Sequence, residues 1–366
     1  MGAAHGRLLN RPGRRRAGAL VAGAIVLALV SCSDPPGPAA PGTGNASQSH
    51  LVMREHVSMG APVQLSAYTA REPDAIAAFD AAFAEFDRLD ALLSVWKEGS
   101  DVLRMNASAG DRPVAVSLDT IDVLRQAIQA GDSTNGKFDI TFGALADVWK
   151  FDHDQDNRIP TPSEIAARLP LVDYRNVVID EKARTAFIRK RGARVHLGGI
   201  GKGFAVDRAV AILRARGLTD FMVQSGGDMY VAGRRGDRPW RLGIRDPRGP
   251  ADRTFATLDL SDSTFSTSGD YERFFTQNGV RYHHLIDPDL GRPAQGTRSV
   301  TIVAKSATQA DWLSTGVFVS GPEVGMALIE RLPDVEGVIV TDRNQVLVSS
   351  GLKDTLHIVA TPTDAP

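Results

Sequence analysis

The segment His196-Leu-Gly-Gly-Ile-Gly-Lys-Gly-Phe-Ala-Val-Asp207 constrains the local fold more than any other part of this 366-residue chain. Gly199, Gly201 and Gly203 alternate with Ile200 and Lys202, and a helical pattern follows at once through Val206, Val210 and Leu213. Gly217 stands where a left-handed cap would end that helix. Glycines let backbone N–H groups come close to a ligand. A helix start adds unpaired N–H donors and a positive dipole end, and Lys202 adds a mobile cation. The segment is therefore a candidate phosphate cradle. It is not a Walker A loop, because Gly203 occupies the Ser/Thr position after the lysine, and its spacing is not that of a Rossmann turn. From these residues alone, a tight strand-to-helix turn with an exposed lysine reads equally well.

The chain is long enough for one large domain or two ordinary ones. Its 43% hydrophobic and 23% charged residues are those of a globular protein. A net charge of −1 gives no electrostatic bias toward nucleic acid, and none is expected as a partner. Arg7 to Arg16 is basic, Ala17 to Val30 is apolar, and Leu29-Val30-Ser31-Cys32 follows. That order is a secretory leader over 1–32, too short and too rich in Gly and Ala for a comfortable membrane span. Its end is similar to a lipobox, which would make Cys32 the lipidated first residue of the mature chain. Cys32 is the single cysteine, so no intrachain disulfide is possible. Residues 33–50, rich in Pro, Gly, Ser and Ala, read as a flexible tether. The remainder, 51–362, is expected to form the working domain.

Along that domain, Arg54 to Tyr68 alternates like a strand and is interrupted at Met59-Gly60-Ala61-Pro62. Ile76, Phe79, Phe83, Phe86, Leu89 and Leu93 form the apolar stripe of a strong helix starting at Pro73. A loop carrying Trp96 follows; its ring either packs on the surface or stacks on a planar ligand. Ser117 caps a second helix expected to end at Gly131. Asn176 to Lys190 reads as a hairpin, and Phe221 to Gly233 as a strand broken by Gly226-Gly227, where a bulge or a close approach is expected. Further short strands are expected over 240–246, 254–260, 264–268, 282–288 and 299–304. Helices are expected over 310–319 and 322–332, with a hairpin closing the chain. Strands and helices mix without a steady βαβ beat. The expected class is α+β, with mixed, mostly antiparallel sheets and flanking helices.

Asp152-x-Asp154-x-Asp156 begins like a calcium loop, but Asn157 and Ser163 replace the Gly and Glu that such a loop needs, so a solvated acidic loop is the better reading. Asp311 and Thr315 are four apart on a helix and would share a face. A carboxylate beside a hydroxyl suits Mg²⁺, which takes its other ligands from water, carbonyls and phosphate; an Asp capping its own helix start reads as well. His284 is a candidate general base, or else a hydrogen-bonded strand histidine.

The order of the motifs narrows these choices. After the lipobox come Met59-Gly60, Leu93-Ser-Val-Trp96 with Ser100, Asn135-Gly-Lys-Phe-Asp139, Leu197-Gly-Gly-Ile-Gly-Lys-Gly203 with Asp207, Ser225-Gly-Gly-Asp228, Thr267-Ser-Gly-Asp-Tyr271, His284-Leu-Ile-Asp-Pro288 with Gly291, and Ala310-Asp311 with Thr315. The chain resembles the FAD:protein FMN transferase family, the ApbE-like flavin transferase lipoproteins, over roughly 54–360. The resemblance implies an ApbE-like, T-fold-like architecture with the FAD site in a cleft between two lobes. It implies Mg²⁺-dependent cleavage of the FAD pyrophosphate, transfer of FMN to a Thr or Ser hydroxyl of a partner flavoprotein, and release of AMP. By the same carry-over, His284 would be the base. Gly199 through its carbonyl, Asp311 and Thr315 would hold Mg²⁺. Met59, Trp96, Lys137, Phe138, Asp139, His196, Lys202 and Ile286 would line the FAD site. The family has Asp where this chain has His196, and Met-Gly-Thr where it has Met59-Gly60-Ala61.

The acceptor would be a flavoprotein subunit of a membrane redox complex, of the Na⁺-translocating NADH:quinone reductase or electron-transport complex type, carrying a Ser/Thr-Gly-Ala-Ser/Thr segment. The enzyme would be lipid-anchored through Cys32 with its catalytic domain on the periplasmic side. An FAD pyrophosphatase yielding FMN and AMP, or a non-catalytic flavin-binding lipoprotein, is the alternative.

Overall fold

The computed structural model describes residues 48–365. The leader expected over 1–32 with its Cys32, and residues 33–47 of the expected tether, lie outside the described residues. Strand structure already begins at His50. No helix among the described residues is long and apolar enough to cross a membrane.

The chain opens with β1 (His50–Ser58), β2 (Ala61–Thr69), α1 (Glu72–Leu93), α2 (Asp101–Ala107), β3 (Val114–Ala115) and α3 (Leu118–Ser133). After α4 (Pro162–Arg168), the hairpin β4 (Val177–Asp180) and β5 (Thr185–Ile188) leads into α5 (Gly201–Ala215). A run of strands follows: β6 (Phe221–Ser225), β7 (Asp228–Ala232), β8 (Trp240–Arg245), β9 (Thr254–Leu260), β10 (Ser263–Gly269), β11 (Phe274–Gln277), β12 (Val280–His283), β13 (Ile286–Asp287), β14 (Arg292–Pro293) and β15 (Thr297–Ala304). The chain closes with α6 (Ala307–Ser320), α7 (Pro322–Arg331), β16 (Glu336–Thr341), β17 (Val346–Val348) and β18 (His357–Ile358). The class is α+β, as the patterning predicts.

One sheet organises the molecule, in the order β1-β2-β6-β7-β10-β15-β16-β17, and every neighbouring pair in it is antiparallel. Its main core packs one face against the helices. Phe79, Phe86 and Leu89 of α1 and Phe318 of α6 are fully buried there. Each such side chain contributes roughly 2–3 kcal/mol of apolar burial. A second core, with Trp240, Ile244, Phe255 and Phe265, fills the space toward the small sheet β18-β9-β8. A third, around Leu145, Trp149, Phe151, Phe275 and Ile286, joins the loop after α3 to the β11–β12 hairpin.

Local chemistry fixes the elements that position the site. Helix α1 starts with Pro73 in its first turn and with Glu72 and Asp74 at the positive end of its dipole. Helix α5 ends as predicted: Gly217 has φ +80°, its N–H meets the Arg214 carbonyl at 2.9 Å, and the Leu218 N–H meets the Leu213 carbonyl at 3.1 Å. Met59 (φ +52°) and Gly60 (φ +71°) form the two-residue turn between β1 and β2.

Three expectations need correction. Gly131 does not end α3, which runs to Ser133; a Cβ on Gly131 would lie 2.7 Å from the Tyr174 ring, so this glycine serves packing. Gly226-Gly227 does not break one strand but reverses the chain between β6 and β7, where Ser225 pairs with Asp228. The close approach expected there is present, because a Cβ on Gly227 would lie 2.7 Å from the Thr267 carbonyl oxygen. The strand expected over 282–288 is two pieces, β12 and β13, with His284 and Leu285 between them.

Candidate active site

The turn Met59–Gly60, the turn Gly226–Gly227 and the end of β10 lie at the same end of the large sheet. The Gly226 N–H donates to the Pro62 carbonyl (3.1 Å), and the Thr267 N–H donates to the Gly227 carbonyl (3.1 Å), knitting the three together. Beside them lies a cavity of about 770 Å³. Such a volume falls in the range of small-molecule and cofactor sites. Met59, Trp96, Lys137, Phe138, Asp139, His196, Gly199, Lys202, His284, Ile286, Asp311 and Thr315 all line it. Twelve positions spread over more than 250 residues of sequence thus meet at one cavity.

Its floor is built where α5 meets α6. Ile200, the N-cap of α5, has no side chain that can cap. Asp311 supplies the missing acceptor from α6, taking the Gly203 N–H at 2.8 Å. In return Asp207 of α5 caps α6, accepting from the N–H groups of Ala307 (2.8 Å) and Thr308 (2.9 Å) and from the hydroxyls of Ser306 and Thr308. Asp311 therefore sits inside α6, which Ser306 caps, and not at a helix start. The glycine-rich segment differs correspondingly from a bare phosphate cradle: its Gly203 amide is already engaged by a carboxylate. Gly203 is required for another reason. A Cβ there would lie 2.3 Å from the Ala307 carbonyl oxygen, closer than the helices allow.

The electrostatics are unbalanced in a useful way. Lys202 pairs with buried Asp228 at 2.7 Å and lies 3.7 Å from Asp311. Burial opposes the charge on Lys202, but Asp228 and Asp311 outweigh it and raise its pKa. Burial, then repulsion from Asp228, pushes the Asp311 carboxyl up to about 7 against the pull of Lys202 and the Gly203 N–H. Two buried carboxylates thus share one ammonium. A cation fits this deficit. A Cβ on Gly199 would lie 3.4 Å from the Thr315 hydroxyl, so that backbone and that hydroxyl are neighbours. Asp311 and Thr315, four apart on α6 with the Gly199 backbone beside Thr315, would offer the hard oxygens that suit Mg²⁺. No group of three or more His, Cys, Asp or Glu among the described residues could hold a metal by itself. Any cation here would complete its shell with the carbonyl, the hydroxyl and oxygens from ligand or water.

His284 lies between two short strands, and the Arg273 carbonyl receives both its backbone N–H (3.1 Å) and its Nδ1 (3.3 Å). A carbonyl only accepts, so Nδ1 carries the proton and Nε2 keeps its lone pair. Burial, then the positive charge of Arg273, lowers the imidazole pKa well below 6.5. His284 is a neutral, tautomer-fixed base at neutral pH. His196 is also neutral, held near 4 chiefly by burial, and its Nδ1 accepts the Gly198 N–H at 3.0 Å. That leaves Nε2–H as a donor in the cavity wall.

The remaining wall is aromatic and charged. Trp96, 53% exposed, stands at the rim with its ring edge-on to His153, centroids 4.3 Å apart. Phe138 is buried beneath Gly199. Lys137 is tied to Asp287 (3.0 Å) and Asp289 (2.8 Å). Asp139 gives its oxygens to Thr141 and to the Tyr174 N–H, which shapes the turn carrying Lys137 and Phe138. In the acidic loop, Asp152 pairs with Arg273, and Asp156 with Lys150 at 3.5 Å. The patterning does not single out Asp228 or Arg273 as site residues, yet both line the cavity. For Asp228 the available signal was a carboxylate placed directly after paired glycines.

Known proteins place this arrangement. Residues 59–339 match the profile described as the ApbE family. The chain is 31% identical over 332 residues to the FAD:protein FMN transferase of Treponema pallidum, covering 86% of this chain and 91% of that protein. It is 32% identical over 348 residues to the one of Vibrio cholerae, covering 92% and 98%. Among solved structures, the ApbE protein of Thermotoga maritima superposes with a TM-score of 0.78 at 32% identity, covering 84% of this chain and 99% of that one. The flavin transferase ApbE of Vibrio cholerae superposes with a TM-score of 0.75 at 28% identity, covering 84% and 99%. With the match spanning the sheet, the α5–α6 floor and the His284 segment, the chain belongs to the ApbE family.

Proposed function

We propose that this protein is a Mg²⁺-dependent FAD:protein FMN transferase. It cleaves the pyrophosphate of FAD, joins FMN through a phosphoester to a Thr or Ser hydroxyl of a partner flavoprotein, and releases AMP. The observation that carries the reading is the meeting of a neutral, oriented His284 with Lys202, Asp311 and Thr315 at one cavity large enough for a dinucleotide. Gly199, Asp311 and Thr315 would hold Mg²⁺, which when bound neutralises phosphate charge and polarises the bond that breaks. His284 Nε2 takes the proton of the incoming hydroxyl as it attacks. Lys202, held in place by Asp228, offsets charge on the diphosphate. Trp96 at the rim offers a ring face to a planar part of FAD, and Phe138, buried beneath Gly199, supports the cavity wall from behind. His196 presents an N–H donor where the family has an acceptor, so it selects a ligand oxygen or nitrogen rather than a hydroxyl proton.

The same reading covers the ends of the chain. Residues 1–32 are a leader, Cys32 carries the lipid, 33–50 is the tether and 51–362 the transferase domain. The enzyme is anchored on the extracytoplasmic side, beside an acceptor subunit of a membrane redox complex.

The deciding experiment incubates a soluble acceptor domain bearing a Ser/Thr-Gly-Ala-Ser/Thr segment with the protein, FAD and MgCl₂. Mass spectrometry should show the acceptor heavier by one FMN, with AMP released in equal amount. Fast AMP release in the absence of acceptor, with no FMN on the acceptor when it is present, would establish a pyrophosphatase instead.

A further inference from the structure

Among the described residues, strand β1 is an outer edge of the large sheet. It is nine residues long and pairs with β2 through nine consecutive positions without a bulge. It contains no proline and no lysine, and its charged residues are Arg54 and Glu55. Exposed edges are normally shortened, bulged, charged or covered, because their unpaired N–H and C=O groups template unwanted pairing. The other edge of this sheet follows that rule, since β17 has only three residues.

The register tells which groups are unpaired. In a two-residue hairpin the pair flanking the turn is hydrogen-bonded, here Ser58 with Ala61. His50, Val52, Arg54, His56 and Ser58 therefore aim their backbone groups at β2. Leu51, Met53, Glu55 and Val57 aim theirs away from it. The side chains of these four share one face, and Leu51 (37%), Met53 (46%) and Val57 (74%) are exposed. From the opposite face His50 reaches Glu72 at 3.1 Å and His56 reaches Asp87 at 2.9 Å, tying the strand to α1. The edge is thus tied down, carries three apolar side chains and Glu55 on its outward-bonding positions, has neither bulge nor proline, and runs straight into Met59 and Gly60, which line the cavity.

Resting on the transferase reading, we infer that β1 is the docking edge for the acceptor protein: an extended segment of the partner adds to the sheet beside Leu51–Val57, next to the cavity wall. Main-chain bonds to an edge give affinity with little demand on sequence, while alternate side chains choose the partner. A second copy of this chain fits the same edge in principle. The acceptor is favoured because a transferase with a macromolecular substrate needs a docking surface continuous with its cavity.

Hydrogen exchange of the 50–58 amides, read by mass spectrometry in the full chain with and without the acceptor domain, tests this. The amides of Leu51, Met53, Glu55 and Val57 should slow at least about tenfold when acceptor is added. Met53→Pro and Glu55→Pro each remove one outward N–H and leave the ladder to β2 intact. Each should raise the acceptor KM about fivefold or more, with FAD affinity and kcat at saturating acceptor unchanged. If the proline variants unfold, the wild-type exchange measurement decides alone. FMN attached to an acceptor that leaves exchange of 50–58 unmoved overturns the inference, as does protection that grows with the protein's own concentration. An acceptor that never gains FMN refutes the transferase reading itself.

Discussion

At the scale of single residues, Asp311 and His284 make separable predictions. Asp311 caps α5 through its Oδ2 and is one of two buried carboxylates served by a single lysine. Asp311→Asn keeps the shape and removes the charge. Transfer should fall at least about 100-fold, the loss of several kcal/mol of cation binding, while FAD binding partly survives. Near-normal AMP release from the variant after chelation and Mg²⁺ repletion would sink the assignment. Because the Asp311 carboxyl titrates at about 7, protons compete with Mg²⁺ below that pH, and half-saturating Mg²⁺ should rise as the pH drops from 8 to 6. His284→Ala should lower kcat by ~10²–10⁴-fold and change FAD affinity little; equal losses in both would point to a binding role. Since burial and Arg273 hold the imidazole below its ordinary range, the acid limb of the kcat profile should lie below pH 6.5. Arg273→Met should move that limb upward.

At the scale of elements, the reciprocal capping of α5 and α6 is the device that builds the floor. Gly203 permits it, and Gly203→Ala would press a methyl on the Ala307 carbonyl and on Asp311. A loss of ~1–3 kcal/mol is expected, seen as a lower melting temperature, together with a smaller upward shift of that temperature on adding Mg²⁺. Unchanged melting with full Mg²⁺ stabilisation would show that the helices can part without cost. Much of this level was legible in the sequence. The stripe Phe79, Phe86, Leu89 marked α1, Ser117 marked the start of α3, and Gly217 marked the end of α5, because caps and periodicity are local signals. Gly226-Gly227 was legible as an anomaly but not as a chain reversal, since two glycines permit either a bulge or a turn and only strand pairing decides. The mutual caps were not legible, because Asp207 and Asp311 act across helices. The engagement of the Gly203 amide stayed hidden for the same reason, and the orientation of His284 by the Arg273 carbonyl because it depends on the register of the β11–β12 hairpin that separates them. The ordered motifs named the cavity's residues without showing that Asp139 shapes a turn or that Lys137 is already paired with Asp287 and Asp289.

At the scale of the whole molecule, three histidines tie stability to pH: half-buried His196 and His284 on the cavity wall, and buried His283 next to His284. His196 and His283 are held near 4 and His284 well below 6.5, in each case chiefly by burial. His283 is only 4% exposed, donates from Nε2 to the Ala294 carbonyl at 3.1 Å, and meets Phe318 edge-on. All three titrate near 6.5 once the chain unfolds. Above that pH they are neutral in both states and contribute no pH dependence. Below it the unfolded chain binds protons that the folded chain refuses, so stability falls as pH falls. For His283 alone the loss between pH 6.5 and 4 is ~3 kcal/mol. Asp311 works in the opposite direction. Its folded pKa is raised to about 7, so between pH 7 and 4 the folded state binds the extra proton and gains stability on acidification. One such carboxyl does not offset three histidines, and the melting temperature should drop steadily from pH 7 to 5. Bound Mg²⁺ would hold Asp311 ionised and cancel its opposing gain, so the drop should be steeper with Mg²⁺ present. A melting temperature that is flat across this window, with and without Mg²⁺, would mean that these imidazoles take up protons in the folded chain as readily as in the unfolded one.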